Sequence, residues 1–242
     1  MTDLPSSSES APAAGAVPRR DFLRVAGASA VTVGLVLAGC GKDEPTPDTT
    51  TPTVLSFGND QSTGDMRVLN YLFFIKQLEF AFYDKAIGAF PADVTAPEQT
   101  YFRDLRDHEL VQRQVLGNVL GANALAPLPF DFASVTLNTR AGVLDAAKLL
   151  EDTGAQAFLG VLPLLNSNTL FTLAAKMASA EARHAALMRD VQTPGSFVGD
   201  DVVETTGLQA GQAKALTPAE VAVILKPFLP TLTINTDSLP TT

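Results

Sequence analysis

The sequence predicts an all-α protein: a four-helix bundle with one long crossover between its second and third helices and a short helix near the C-terminus. Three observations predict it. Between residues 66 and 190, four segments carry apolar residues at helical spacing. The connections between them run short, long, short, the order of a bundle with a single crossover. In each segment a glutamate falls near the middle of the apolar stripe.

The first helix is read at residues 66–88, with the stripe Val68, Leu72, Ile75, Glu79, Phe82 and Ala86. Gly88 and Pro91 stop it. The second spans 97–121, with Phe102, Leu105, Glu109, Gln112, Leu116 and Val119 on its stripe. Pro97 suits its first turn and Gly121 its end. The third spans 139–162 and aligns Leu144, Ala147, Glu151, Gly154, Phe158, Val161 and Leu165. The fourth spans 167–190 and aligns Leu170, Ala174, Met177, Glu181, His184 and Met188. The crossover, 122–138, carries Pro127, Pro129, Phe130 and Phe132, whose apolar groups should pack across the bundle. A short strand is conceivable at Ser134, Val135, Thr136 and Leu137. In the C-terminal extension, 191–242, Thr217-Pro218-Ala219-Glu220 reads as an N-cap, a proline at the first helical position and a capping-box glutamate. A helix over 218–228 should follow, and then loose coil from Pro230 to Thr242.

Composition narrows the function. The chain has 242 residues, 46% hydrophobic and 18% charged, enough to bury a core. Its formal charge of −9 argues against a nucleic-acid binder and against a polybasic membrane-surface protein. One cysteine makes neither an intrachain disulfide nor a Cys-based zinc site. Two histidines exclude a three-His metal site but leave room for a carboxylate-rich one.

The glutamates carry the chemistry. An unpaired carboxylate in an apolar core costs several kcal/mol or takes up a proton. Four close together also repel one another, so something must neutralise them. Lys76, Lys85, Lys148 and Lys176 lie off the stripes, and Arg183 points about 100° away from His184 on an ideal helix. Two divalent ions would balance four carboxylates, and carboxylate with imidazole suits Fe or Mn, with Zn possible. Glu79 and Glu151 are lone carboxylates, whereas Glu181-Ala182-Arg183-His184 places a carboxylate and an imidazole on one face, a turn apart.

Residues 68–190 resemble the ferritin-like superfamily, and more narrowly the bacterial ferritin-like group that includes desiccation-related proteins. The segments that carry the resemblance are Leu78-Glu79-Phe80-Ala81-Phe82-Tyr83, His108-Glu109-Leu110-Val111-Gln112, Leu150-Glu151-Asp152-Thr153-Gly154-Ala155-Gln156-Ala157-Phe158-Leu159-Gly160 and Glu181-Ala182-Arg183-His184-Ala185. Ala222-Val223-Ile224-Leu225-Lys226-Pro227-Phe228-Leu229 is similar to that group's closing segment. The resemblance implies a ferritin-like four-helix bundle and a di-metal site, with iron first, held by Glu79, Glu109, Glu151, Glu181 and His184. It also implies Glu-x-x-His on the second helix. Here Gln112 stands where that histidine would be, a weaker and neutral ligand. Tyr83, one turn after Glu79, is either a donor to a ligand carboxylate or an ordinary core-edge tyrosine. His108 sits about 100° round the helix from Glu109 and reads as a boundary residue, with Asp104 a turn away as a possible partner.

The first 39 residues read as an address. Arg19-Arg20-Asp21-Phe22-Leu23-Arg24 resembles the twin-arginine export motif. The apolar, small-residue stretch from Val25 to Gly39 is too short for a comfortable bilayer span of roughly 20 residues and suits a signal segment. Leu37-Ala38-Gly39-Cys40 resembles a lipobox, which implies lipid on Cys40 and export to the cell envelope, anchored to a membrane. Residues 40–65, rich in Pro and Thr, read as a disordered tether. The bundle domain is 66–190.

Three functions fit these features. One is an envelope-anchored di-iron protein oxidising Fe(II) with O2 or peroxide. Another is a non-enzymatic envelope stress or desiccation-type scaffold with a degenerate metal site. The third is a lipoprotein that binds a solute or partner on the bundle surface. Whether the chain is an enzyme therefore stays open at the level of sequence.

Overall fold

A computed structural model describes residues 53–58 and 62–241. The export motif with Arg19 and Arg20, the lipobox with Cys40 and the segment up to residue 52 lie outside the described residues.

The four long helices are α1 (Gly64–Gly88), α2 (Ala96–Leu120), α3 (Arg140–Val161) and α4 (Asn168–Gln192). A short helix α5 (Pro218–Leu225) closes the bundle. Their starts have local causes. Thr63 caps α1, its hydroxyl accepting from the Met66 amide. A capping box opens α2, where the Thr95 amide donates to Glu98 Oε2 at 2.8 Å. The box anticipated at Thr217 and Glu220 opens α5, with the Thr217 amide donating to Glu220 Oε2 at 2.8 Å. At the end of α2, Gly121 takes φ 55°, a left-handed backbone that favours glycine.

α1 packs chiefly on α2 and α3 on α4, with α1 against α3 and α2 against α4 completing the bundle. α1 is the central element. It is buried on nearly every side, including Tyr71, Phe74, Lys76 and Tyr83. The stripes hold with two departures: Val119 is exposed, with Leu120 buried in its place, and Leu170 is only half-buried.

The crossover packs as anticipated from its aromatics. Phe130 stacks on Phe74, and Phe132 lies between Phe82 and Phe228. Two buried polar residues of α1 hold its backbone. Asn70 Nδ2 donates to the Asn123 carbonyl at 2.8 Å, and Asn70 Oδ1 accepts from the Leu125 amide at 3.0 Å. Gln77 Oε1 accepts from the Leu128 amide at 3.2 Å. These bonds satisfy backbone groups in a segment that forms no ladder of its own.

Three expectations need correction. Residues 134–137 form turns, not a strand. The stretch 40–65 is not a tether throughout, because strand β1 (Thr53–Ser56) lies within it and Leu55 and Phe57 are buried. The tail after Pro230 is not loose coil, because Leu232–Asn235 forms strand β2 and pairs in parallel with β1, Thr53 facing Leu232. Phe57 anchors this pair on the bundle, edge-on to Tyr71 and tilted on Phe74. The anticipated final helix stops at Leu225 and continues as one tighter turn, Lys226–Phe228. There the Lys226 ammonium donates to the carbonyls of Leu229, Pro230 and Leu232.

No helix among the described residues is long and apolar enough to cross a membrane.

Candidate metal centre

Each long helix delivers one glutamate to the middle of the bundle. Glu79 from α1, Glu109 from α2, Glu151 from α3 and Glu181 from α4 are all fully or almost fully buried. His184, one turn after Glu181, joins them and is also buried. Glu109, Glu151, Glu181 and His184 each offer a ligand atom, and these four atoms lie within 4.8 Å of one another. His184 presents Nδ1 to the cluster, 2.9 Å from Glu109 Oε1 and 3.5 Å from Glu151 Oε2. Glu109 Oε1, Glu151 Oε2 and His184 Nδ1 nevertheless make no hydrogen bond, and neither does Glu79 Oε1. Buried lone pairs left so exposed to one another are what a bound cation relieves.

Lys76 corrects the sequence reading most sharply. It lies off the ideal stripe, yet it is fully buried, with its ammonium among three of the four carboxylates. Lys76 Nζ is 2.7 Å from Glu109 Oε2 and also pairs with Glu79 and Glu181. The Phe158 ring lies beside it, 5.3 Å from Nζ to the centroid. Lys76 is three residues before Glu79, so the two share a face at the edge of the stripe. That spacing was the available signal, and a helix buried on nearly every side is what turned an edge position inward.

Gln112 lies beside the centre but outside the four-atom cluster. Its Nε2 donates to Glu181 Oε1 at 2.7 Å, while its own carbonyl oxygen is buried without a partner. Tyr83 donates its hydroxyl to Glu151 Oε1 at 2.6 Å. His108, on the exposed side, places Nδ1 2.6 Å from His184 Nε2. Asp104 has no part in this contact; the partner of His108 is the imidazole of another helix. Gly154 supplies room: a Cβ built on it would overlap Glu79 Oε1 and come within 3.4 Å of Glu181 Oε2.

The electrostatics follow from burial and crowding. Burial alone would lower the Lys76 pKa, but Glu109, Glu181 and Glu79 outweigh it, so the ammonium stays charged far above its ordinary range. Burial raises Glu79 well above its usual value, with Lys76 opposing. Burial, reinforced by the charge of Glu109, raises Glu181 to about 7. Glu109 goes the other way: burial is outweighed by Lys76 and His184, and its pKa falls to about 2. For His184, burial is outweighed by Glu109 and Glu151, and the pKa rises to about 10. Burial keeps the Tyr83 hydroxyl protonated, and Glu151 adds to this, so it serves as a donor.

A cluster of four glutamates and a histidine, one group per helix and the histidine a turn beyond, defines a class: helical bundles with a carboxylate-rich centre that could hold metal. A family model described as a ferritin-like domain matches residues 64–194, which take in all four long helices. The chain belongs to the ferritin-like domain family. No curated protein matches it.

Proposed function

We propose that this chain is an envelope-anchored ferritin-like metalloprotein that holds a redox-active divalent ion, iron first, and oxidises Fe(II) with O2 or peroxide. The observation that carries the reading is the convergence of Glu109, Glu151, Glu181 and His184 ligand atoms in a buried cluster. Carboxylate and imidazole donors suit Fe and Mn, with Zn as a redox-silent competitor. Iron, if held there, would supply one-electron chemistry between Fe(II) and Fe(III), with O2 or peroxide from solution as the oxidant.

The chain's own residues do the rest. His184 Nδ1 and the three glutamates bind. His108 orients the imidazole by accepting from Nε2–H. Tyr83 fixes one Glu151 oxygen. Gln112 fixes one Glu181 oxygen. Lipid on Cys40 would place this centre at a membrane surface of the cell envelope.

The second reading is a non-enzymatic scaffold, and one observation favours it: Lys76 already neutralises part of the cluster without a metal. Anaerobic loading with Fe(II) followed by metal analysis separates the two. Bound iron, with Fe(II) oxidation faster than in buffer and abolished by Glu181→Ala, is the expected result. A folded protein that retains no iron supports the scaffold.

A further inference from the structure

A di-metal arrangement needs two cation positions between the four glutamates. The structure distinguishes them. One lies among Glu109, Glu151, Glu181 and His184. The other lies among Glu79, Glu109 and Glu181, and there the Lys76 ammonium sits.

We propose that Lys76 is a built-in second cation, and that the centre is mononuclear: it takes one metal ion, at Glu109, Glu151, Glu181 and His184, beside a fixed ammonium. The proposal rests on the reading of the cluster as a metal centre and specifies its occupancy.

Four features agree. Lys76 contacts three carboxylates, two of which, Glu109 and Glu181, also belong to the four-atom cluster. These two therefore face both the ammonium and the position where an ion would be held. Glu79 belongs only to the ammonium's side. Gln112, where a second imidazole would bind a second ion, instead donates its amide N–H to Glu181. Its nitrogen end is thus an N–H donor where an imidazole would offer a lone pair, and only the weaker, neutral carbonyl oxygen remains as a ligand atom. Finally, the ammonium cannot leave easily. Lys76 is fully buried, so displacing it would put a charge or a long chain into packed apolar surroundings.

The charges also close. One ammonium and one trivalent ion together cancel four carboxylates, whereas an ammonium and two divalent ions would overshoot. The arrangement therefore favours the oxidised form of a single iron more than a pair of ions would require. A single ion held there would also have no second metal beside it with which to share electrons.

The test uses the full folded chain and Mn(II), which reads occupancy without turnover. Wild type is expected to retain about one Mn(II) per chain, with the spectrum of an isolated ion in electron paramagnetic resonance. The double variant Lys76→Met with Gln112→His is expected to retain about twice as much, with the broadened signal of a coupled pair. Two ions in wild type overturn the proposal and leave the metal-centre reading standing. No Mn(II) and no Fe(II) bound by wild type overturns both. A double variant that folds and still holds one ion overturns the assignment of Lys76 to the second position. Should that variant fail to fold, the wild-type occupancy and its spectrum decide alone.

Discussion

At the scale of single residues, the centre depends on groups that never face the ion. His108 is the clearest, because it is half outside the bundle and contributes nothing to the core, yet meets His184 Nε2 at 2.6 Å. Removing such a supporting partner ordinarily costs about 10- to 100-fold in metal affinity. His108→Ala is therefore expected to weaken Mn(II) binding by that factor with unchanged helix content, as read by competition with a chelator. Unchanged affinity would mean that the imidazole is held by packing alone. Gly154→Ala should act on the other side. Its Cβ would overlap Glu79 Oε1 inside a packed core, and overpacking of this kind costs about 1–3 kcal/mol. The urea midpoint of the variant should fall accordingly, with the slope unchanged. Periodicity made the four glutamates and His184 legible, since each lands where a core residue belongs. It could not reveal Lys76, which an ideal helical wheel puts outside the stripe and only the burial of nearly every side of α1 brings in. Nor could it reveal that His108 and His184, 76 residues apart, share a hydrogen bond.

At the scale of elements, the helices follow from local chemistry, and the extension follows from one arginine. Helix ends were readable because Pro97, Gly121 and the Thr217 box are local signals. The attachment of residues 195–214 was not, because it hangs on Arg189 of α4. That guanidinium donates to Asp152 on α3 at 2.8 and 2.9 Å, and to Asp201 in the extension at 3.1 Å. Arg189 is buried, while Asp201 is well exposed, so the Asp201 pair is screened and contributes little by itself. Arg189→Met should thus lower global stability by about 1–3 kcal/mol, mainly through Asp152. Amide exchange around residues 199–203 should speed up, while α1 and α2 keep their protection. Equal acceleration in all helices would show that Arg189 supports the bundle rather than the extension.

At the scale of the whole molecule, the centre sets how stability depends on pH. Glu181, raised to about 7, has a folded pKa above its ordinary value of 4.5. Its stabilising contribution is full below 4.5 and is lost as pH rises through about 7. His184, raised from 6.5 to about 10, contributes fully below 6.5 and loses its contribution as pH rises through about 10. Glu109, lowered to about 2, works in the opposite sense, contributing above 4.5 and failing as pH falls through about 2. Metal-stripped protein should therefore lose thermal stability steadily as pH rises from about 5 to about 10. Metal binding must displace protons from the same ligands, so affinity rises with pH. Melting temperatures of stripped and Mn(II)-loaded protein should diverge as pH rises, a pattern readable by calorimetry. A stripped protein that gains stability between about pH 6 and about pH 9 would contradict the assignment of these groups.

The pairing of β1 with β2 has a consequence for the order of assembly. Thr53–Ser56 emerges early in synthesis, but its only ladder partner in the described residues is Leu232–Asn235, almost the whole domain later. The four helices can form and dock as they appear, since their main contacts run between chain neighbours. The clasp cannot close until residues 232–235 have been made. Closure is therefore a late event, and Thr53–Ser56 lacks this ladder partner until residues 232–235 have been made.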